Sequence, residues 1–127
     1  MARFLWICLG GAAGSGARYL LTGWIQRALG PSFPFGTLAV NLIGSFLLAG
    51  LMFAGTEAGV ISPNVRLAVA TGVLGGFTTY STFSYETMRS LQDGAWGVAL
   101  LNMTVTLLGC LVAGYLGWAA ARGLLGR

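Results

Sequence analysis

The chain is poor in charge and has neither histidine nor lysine. Among its 127 residues there are seven cations, all arginine, and three acidic residues, which gives a net charge of +4. Without histidine, metal-hydroxide chemistry and histidine-based acid or base catalysis lose their usual residues. The arginines are too few and too scattered for a nucleic-acid surface, which needs clustered basic side chains. The composition therefore favours neither an enzyme nor a nucleic-acid partner.

Cysteine and nucleotide motifs are equally sparse. Cys8 and Cys110 both lie in apolar runs without CxxC spacing, so neither a disulfide framework nor a zinc site is expected. No phosphate-binding loop of the GxxxxGK[ST] kind occurs, and ATP coupling is therefore not expected.

Apolar residues dominate what is present. Hydrophobic residues make up 56% of the chain and charged residues 8%, against about 25% charged in soluble domains. The mean hydropathy is +0.79. These values predict an all-α membrane protein with one domain, residues 1–127. A bundle this small encloses a pathway poorly by itself, so we expect an oligomer.

Four charge-poor windows are each long enough to cross a bilayer, which takes about 20 residues of helix. The predicted transmembrane helices are residues 4–29, 35–54, 66–88 and 95–121, separated by segments rich in glycine, proline and polar residues. The arginine and apolar run at the start would also fit a signal peptide, which would leave three spans.

The third predicted span is interrupted near its middle by residues 75–84, GGFTTYSTFS. In hydrocarbon, non-helical backbone survives only where protein or a watery path covers its free N–H and C=O groups. Such a break usually lines a binding site or pore.

Arginine placement gives only a weak bias for orientation. One side of a four-span protein would carry Arg3, Arg66, Arg122 and Arg127, and the other Arg27 and Arg89, with Arg18 if it reaches that far. We therefore expect insertion in both orientations and an antiparallel homodimer.

Small residues repeat every four positions in the first and last predicted helices. Gly10 and Gly14 form one such face, and Gly109, Ala113 and Gly117 form another. This spacing predicts close helix packing.

Polar side chains inside the spans follow helical faces. Thr37, Asn41 and Ser45 recur at four-residue intervals, as do Asn102 and Thr106. With the hydroxyls of the third span they predict a track of neutral donors through an apolar bundle. Helix-to-helix hydrogen bonding is the alternative reading of each residue alone.

Neutral donors suit a small anion, because they donate hydrogen bonds without holding the ion as tightly as a buried arginine would. Tyr80 and Phe83 share a helical face and could present positive ring edges to such an ion, although aromatic core packing explains the same spacing. Chemistry alone does not name the ion.

Three segments carry a family resemblance. Residues 75–84 resemble the GGxTTFSTFS signature of the small fluoride channels, the Fluc or CrcB family. Residues 36–46, GTLAVNLIGSF, resemble the pattern in the second helix of that family, and residues 10–19, GGAAGSGARY, resemble its glycine-rich first helix. The resemblance covers nearly the whole chain.

The resemblance implies a passive fluoride-selective channel in the bacterial inner membrane, which exports toxic fluoride through two pores in an antiparallel dimer. Asn41 would face the pore beside two rings, here Tyr80 and Phe83. Backbone carbonyls of Gly75 and Thr78 from both subunits would hold a structural sodium ion.

Further roles come from the same resemblance. Arg18 would lie near an aqueous vestibule. Thr79 would line the pore, and the outward polar route would include Ser81, Thr82, Ser84 and Glu86. A carboxylate on an anion path must be protonated, paired or at the rim. The position of Glu86 predicts the rim or a pair with Arg89; an ordinary interfacial charge is the alternative.

One position departs from the family pattern. Tyr80 stands where phenylalanine is usual, and its hydroxyl could hold fluoride or turn the ring edge away. We expect the fold and dimer to tolerate this residue and conduction to be slowed or changed relative to a phenylalanine form.

Two other functions remain open. A small multidrug-type proton-coupled exporter would need a carboxylate in the first helix, which has Arg18 and no acidic residue. A non-transporting scaffold subunit would explain the glycine faces but not the clustered polar residues.

Overall fold

A computed structural model describes residues 1–126, which form helices joined by short turns, with no β-strand in that range. The α-helices are α1 Ala2–Leu29, α2 Phe35–Met52, α3 Pro63–Leu67, α4 Gly75–Phe77, α5 Tyr80–Gln92 and α6 Trp96–Leu125. Phe53–Glu57 continues α2 as a π-helical turn, and the π-helical segment Ala68–Leu74 joins α3 to α4. Arg127, counted above in the charge bias, lies outside the described residues.

Local chemistry sets the ends of these helices. Helix α1 stops at Gly30, whose φ of 85° favours glycine. Ser62 caps the start of α3 by accepting a hydrogen bond from the Val65 N–H, and Pro63 occupies the first helical position. Gln26 fixes the turn before α2, since its Nε2 donates to the carbonyl of Phe33 at 2.9 Å.

Helices α2 and α6 make the most extensive contact in the bundle. A Cβ added at Gly117 would collide with the backbone of Phe46, and one added at Gly109 would lie 3.0 Å from Leu42 Cδ2. The small-residue face predicted for the last helix is therefore confirmed as a close-packing surface.

The glycine face of α1 packs against residues 68–77. A Cβ at Gly10 would lie 3.0 Å from the Ala68 carbonyl oxygen, and one at Gly14 would collide with the backbone of Val73. The close packing predicted for the first helix is also confirmed. It brings α1 against the residues that precede the interruption in the third predicted span.

The exterior of the bundle is apolar. On α6, Leu107 and Leu111 are 63% and 64% exposed, whereas Val40 and Ala99 inside the bundle are fully buried. Two helical segments, Phe35–Glu57 and Trp96–Leu125, are long and apolar enough to cross a membrane. The predicted span 4–29 carries charges that include Arg18, and the predicted span 66–88 is divided between shorter helices.

Candidate functional site

The backbone leaves the helical conformation at Thr78 and Thr79. Helix α4 ends at Phe77, and the φ and ψ angles are −82° and 159° at Thr78 and −152° and 110° at Thr79. Helix α5 then begins at Tyr80. Two extended residues between helices release N–H and C=O groups that a continuous helix would pair internally. Each of these groups needs another partner.

Asn41 pairs with both backbone groups of Thr79. Its Oδ1 accepts a hydrogen bond from the Thr79 N–H at 2.8 Å, and its Nδ2 donates to the Thr79 carbonyl at 3.0 Å. A carboxamide can make this pair because it has an acceptor and donors on one planar group. One N–H of Asn41 remains for another acceptor.

The Thr79 side chain starts the next helix. Its Oγ1 accepts a hydrogen bond from the Thr82 N–H at 3.2 Å and donates to Thr82 Oγ1 at 2.9 Å. Thr79 is thus the N-cap of α5, and its own hydroxyl proton is already used within the chain.

Arg18 reaches the other residue of the interruption. Its Nη1 donates to the Thr78 carbonyl oxygen at 3.1 Å, and the Thr78 hydroxyl donates back to the Leu74 carbonyl at 3.0 Å. Arg18 is half-buried. The guanidinium predicted for a vestibule therefore contacts the interrupted backbone directly.

The two carbonyls predicted to hold sodium have lost their helical partners. The Thr79 N–H would donate to the Gly75 carbonyl in a continuous helix, but donates to Asn41 instead. The Thr78 carbonyl keeps one lone pair beside its bond from Arg18. Backbone oxygens are the ligands that hard cations prefer, so the donor set fits sodium, although the nearby guanidinium opposes a positive ion.

A cavity of about 570 Å³ opens beside the interruption. Its polar lining includes Asn41, Ser45, Thr78, Thr79 and Thr106. The aromatic pair Tyr80 and Phe83 and the aliphatic side chains of α6 complete the wall, with the two ring centroids 5.6 Å apart and inclined at 56°.

Few donors in this cavity are free for a ligand. Besides one N–H of Asn41, the hydroxyls of Ser45 and Tyr80 make no hydrogen bond among residues 1–126. Tyr80 is 80% exposed, so its ring and hydroxyl lie at the open side. The arrangement can offer a small anion a few weak donors beside aromatic edges, without a fixed cation in the lining.

Asn102 and Thr106 belong to a buried hydrogen-bond chain. Thr106 Oγ1 donates to Asn102 Oδ1 at 3.1 Å, and Asn102 Nδ2 donates to Thr87 Oγ1 at 2.9 Å. The Thr87 hydroxyl then donates to the Phe83 carbonyl at 2.8 Å. Asn102 does not line the cavity, and Thr106 donates its hydroxyl proton to Asn102 rather than into the cavity. Sequence reasoning missed Thr87, which its spacing of four residues from Phe83 could have indicated.

Glu86 bonds to Thr37 rather than to Arg89. Thr37 Oγ1 donates to Glu86 Oε1 at 2.8 Å, and Glu86 Oε2 is buried without a hydrogen bond among the described residues. The Nε of Arg89 donates instead to Asp93 at 3.1 Å, one helical turn further on. The predicted pair of Glu86 with Arg89 is therefore wrong, because Asp93 at the exposed end of α5 takes the arginine.

The remaining predicted pore residues lie outside the cavity. Ser81, Thr82 and Ser84 are exposed on α5 and do not line the cavity. The structure thus brings together Asn41, Thr79, Tyr80, Phe83 and Thr106 at the cavity. It places Thr37 and Glu86 in a separate contact between α2 and α5.

Comparison with known proteins gives matches over almost the whole chain. The sequence pattern of the family described as CrcB-like protein, Camphor Resistance (CrcB), matches residues 5–118. A protein named fluoride-specific ion channel FluC from Anaeromyxobacter sp. (strain K) is 52% identical over 126 residues, which are 99% of this chain and 100% of that protein. The protein of that name from Sorangium cellulosum (strain So ce56) is 50% identical over 125 residues, 98% of each chain.

A more distant relative shows the same coverage. The fluoride-specific ion channel FluC of Citrifermentans bemidjiense is 45% identical over 124 residues, 98% of this chain and 100% of that protein. The similarity therefore extends from α1 to α6 rather than over the interrupted segment alone.

Proposed function

The chain belongs to the CrcB-like protein family, and from this premise we propose that it is a fluoride-selective channel. Fluoride would leave the cell passively, down its electrochemical gradient, which prevents fluoride toxicity. The names of the full-length relatives support fluoride as the conducted ion. The single observation in this chain that carries the proposal is the cavity beside Thr78 and Thr79, where neutral donors and two aromatic rings meet interrupted backbone.

The proposed path uses the donors that remain free in the cavity. The unpaired N–H of Asn41 and the hydroxyls of Ser45 and Tyr80 would replace water around the ion, while the edges of Tyr80 and Phe83 add weak positive potential. Such donors bind an anion weakly enough to release it, which conduction requires. Thr79 would shape the path by capping α5 rather than by donating to the ion.

The proposed assembly is an antiparallel homodimer of four-span protomers in the inner membrane, with two pores. Tyr80, Leu107 and Leu111 border the open side of the cavity and are all more than half exposed, so a second copy would close it. Arginine counts at the two ends of the described bundle differ little: Arg3, Arg66 and Arg122 lie at one end, and Arg27 and Arg89 at the other. This small difference favours insertion in both orientations.

A structural sodium ion would stabilise that dimer. The carbonyls of Gly75 and Thr78 from two copies would surround it as four oxygen ligands. Four dipoles together are needed because Arg18 places a positive charge beside each Thr78 carbonyl.

The test of the proposed function is fluoride efflux from liposomes that contain the purified chain. A potassium gradient with valinomycin sets the voltage, and the pH is equal on both sides. Fluoride release under these conditions supports a passive channel. Release that requires a proton gradient would identify a proton-coupled exporter instead, and no release in either case would identify a scaffold subunit.

Membrane orientation needs its own experiment. A cysteine introduced at the N-terminus, in a background in which Cys8 and Cys110 are replaced by alanine, is labelled from outside intact cells before and after permeabilisation. Labelling of about half the molecules from outside supports the antiparallel dimer. Labelling in one orientation only would contradict it without affecting the fluoride proposal.

A further inference from the structure

A second cavity lies at the end of the bundle that holds the N-terminus. It has a volume of about 330 Å³ and is lined by residues from the start of α1, the end of α2, helix α3 and the π-helical segment Ala68–Leu74: Arg3, Met52, Pro63, Asn64, Arg66, Leu67, Ala70 and Thr71. None of these residues lines the cavity beside Thr78. The conduction proposal therefore leaves this site without a role.

Arg66 is held in place at the wall of this cavity. Its Nη1 donates to the Gly55 carbonyl at 3.0 Å, and its side chain packs so closely on Gly55 that an added Cβ would lie 2.6 Å from Arg66 Cδ. A guanidinium has five N–H donors, so this bond leaves most of them available. The group is thus oriented before any ligand binds, which lowers the entropic cost of binding.

Arg3 brings a second positive charge to the same cavity. It is exposed and makes no hydrogen bond among residues 1–126. In that range the one ion pair joins Arg89 to Asp93, so neither arginine of the cavity is neutralised by a carboxylate. Two unneutralised guanidinium groups in one cavity are suited to an anion with several oxygens, because the planar fork matches phosphate geometry.

The rest of the wall is apolar. Met52, Leu67 and Ala70 lie beside the two arginines, and Asn64 and Thr71 add polar atoms. Leu67 and the neighbouring Val65 are 38% and 53% exposed, so the apolar surface continues outside the cavity. A site with charged donors and an adjoining apolar surface at the end of a membrane helix bundle matches an amphiphile with a phosphate head and acyl chains.

We propose that this cavity binds the phosphate group of a phospholipid, with Arg66 and Arg3 as its ligands and the acyl chain along Met52 and Leu67. The assignment requires a membrane but does not depend on which ion crosses the other cavity. In an antiparallel dimer the two copies of the site would face opposite leaflets. Inorganic phosphate has the same chemistry and is the other source that a test must separate.

The experiment titrates the purified chain in maltoside detergent with dioctanoylphosphatidylglycerol and follows the rise of Tm, which reports binding to the folded state. Loss of either arginine should weaken apparent binding about tenfold, the size expected for a lost charge-assisted hydrogen bond. The variants are Arg3→Gln and Arg66→Gln. Arg122→Gln is the matched control, because Arg122 lies at the same end of the bundle but does not line the cavity. Its Cζ lies 5.2 Å from the centroid of the Trp118 ring.

Two further ligands separate the sources. Dioctanoylglycerol has the acyl chains without the phosphate, and inorganic phosphate has the anion without the chains. Arginine-dependent binding of the phospholipid, with weaker binding of both comparison ligands, supports the lipid site. Inorganic phosphate binding as tightly as the phospholipid would overturn the lipid as the source.

Two results would overturn the site itself. One is equal weakening by Arg122→Gln, which would show a general charge effect at this end of the bundle. The other is phospholipid binding unchanged by Arg3→Gln. Arg3 makes no internal hydrogen bond that folding needs in the described range, so this variant decides the question even if Arg66→Gln, which loses its bond to Gly55, does not fold.

Discussion

Asn41 holds the backbone of Thr79 with two hydrogen bonds, one to the N–H at 2.8 Å and one to the carbonyl at 3.0 Å. A side chain on α2 thus pairs the interrupted backbone as a neighbouring strand would. At Thr79 the interruption is tolerated because protein groups satisfy both its N–H and its carbonyl. The same carboxamide lines the cavity proposed for fluoride, so its structural role and its proposed conducting role meet in one residue.

Asn41→Asp should disrupt both roles. At pH 7 a carboxylate cannot donate to the Thr79 carbonyl and brings a negative charge to an anion path. We expect fluoride efflux to fall about tenfold or more and the free energy of unfolding to fall by about 1–3 kcal/mol. Efflux and Tm measure these effects. Gln92→Glu, the same amide-to-carboxylate change at an exposed residue outside both cavities, is the control, and equal losses in both variants would contradict the role of Asn41.

Tyr80→Phe should speed conduction while leaving stability unchanged. The Tyr80 hydroxyl makes no hydrogen bond among the described residues, so its removal leaves no orphaned partner there. Loss of one donor that holds the ion should raise fluoride efflux about fivefold, the value of one neutral hydrogen bond. Tyr85→Phe, on an exposed residue outside the cavity, is the control. Equal efflux for Tyr80→Phe and the native chain would show that the hydroxyl has no effect on conduction.

Ser45→Ala and Ser84→Ala should differ. Ser45 lines the cavity with a free hydroxyl, whereas Ser84 is exposed on α5 away from it. We expect Ser45→Ala to change fluoride efflux about fivefold and Ser84→Ala to leave it unchanged. A larger effect at Ser84 would place the path along α5 through Ser84, which the family resemblance assigns to the outward polar route, and would reject the cavity as the route.

Variants of Arg18 can separate the effect of its hydrogen-bond geometry from the effect of its positive charge. Its Nη1 donates to the Thr78 carbonyl, which a lysine ammonium on a different stem would not reach in the same geometry. We therefore expect Arg18→Lys to lower Tm and fluoride efflux about as much as Arg18→Gln does. Native efflux in Arg18→Lys would show that positive charge alone matters, as in a vestibule that only attracts anions.

Thr87→Val should destabilise the chain by about 1–3 kcal/mol, because it leaves the buried Asn102 amide without its acceptor. Urea or thermal unfolding in detergent measures this loss. Thr104→Val is the matched control, since Thr104 is exposed and donates only to a carbonyl of its own helix. Equal stability of the two variants would contradict the importance of the buried hydrogen-bond chain.

The sequence predicted the helices more successfully than the contacts of single polar side chains. Apolar windows and glycine spacing are local signals, and the close packing at Gly14 and Gly117 followed from them. By contrast, the helical spacing of Asn102 and Thr106 placed them on one face without showing that Thr87 would take up their hydrogen bonds. Such pairings depend on how two helices are rotated against each other, which spacing within one helix does not fix.

The hydrogen-bond partner of Glu86 was likewise not predictable from the sequence. Its position near the end of the third predicted span suggested the rim or Arg89, but the helix rotation turns it towards Thr37 on α2. Arg89 is free to join Asp93 because the two are four residues apart on one exposed face. A carboxylate could therefore be located along the span from the sequence, but its partner could not.

The most direct test of the central claim loads liposomes with potassium fluoride and potassium chloride together and records both anions outside after valinomycin is added. With the native chain we predict rapid release of fluoride and retention of chloride over the same time, and loss of the fluoride release in Asn41→Asp. Chloride leaving as fast as fluoride, or fluoride release unchanged in Asn41→Asp, would contradict a fluoride-selective path beside Asn41 and Thr79.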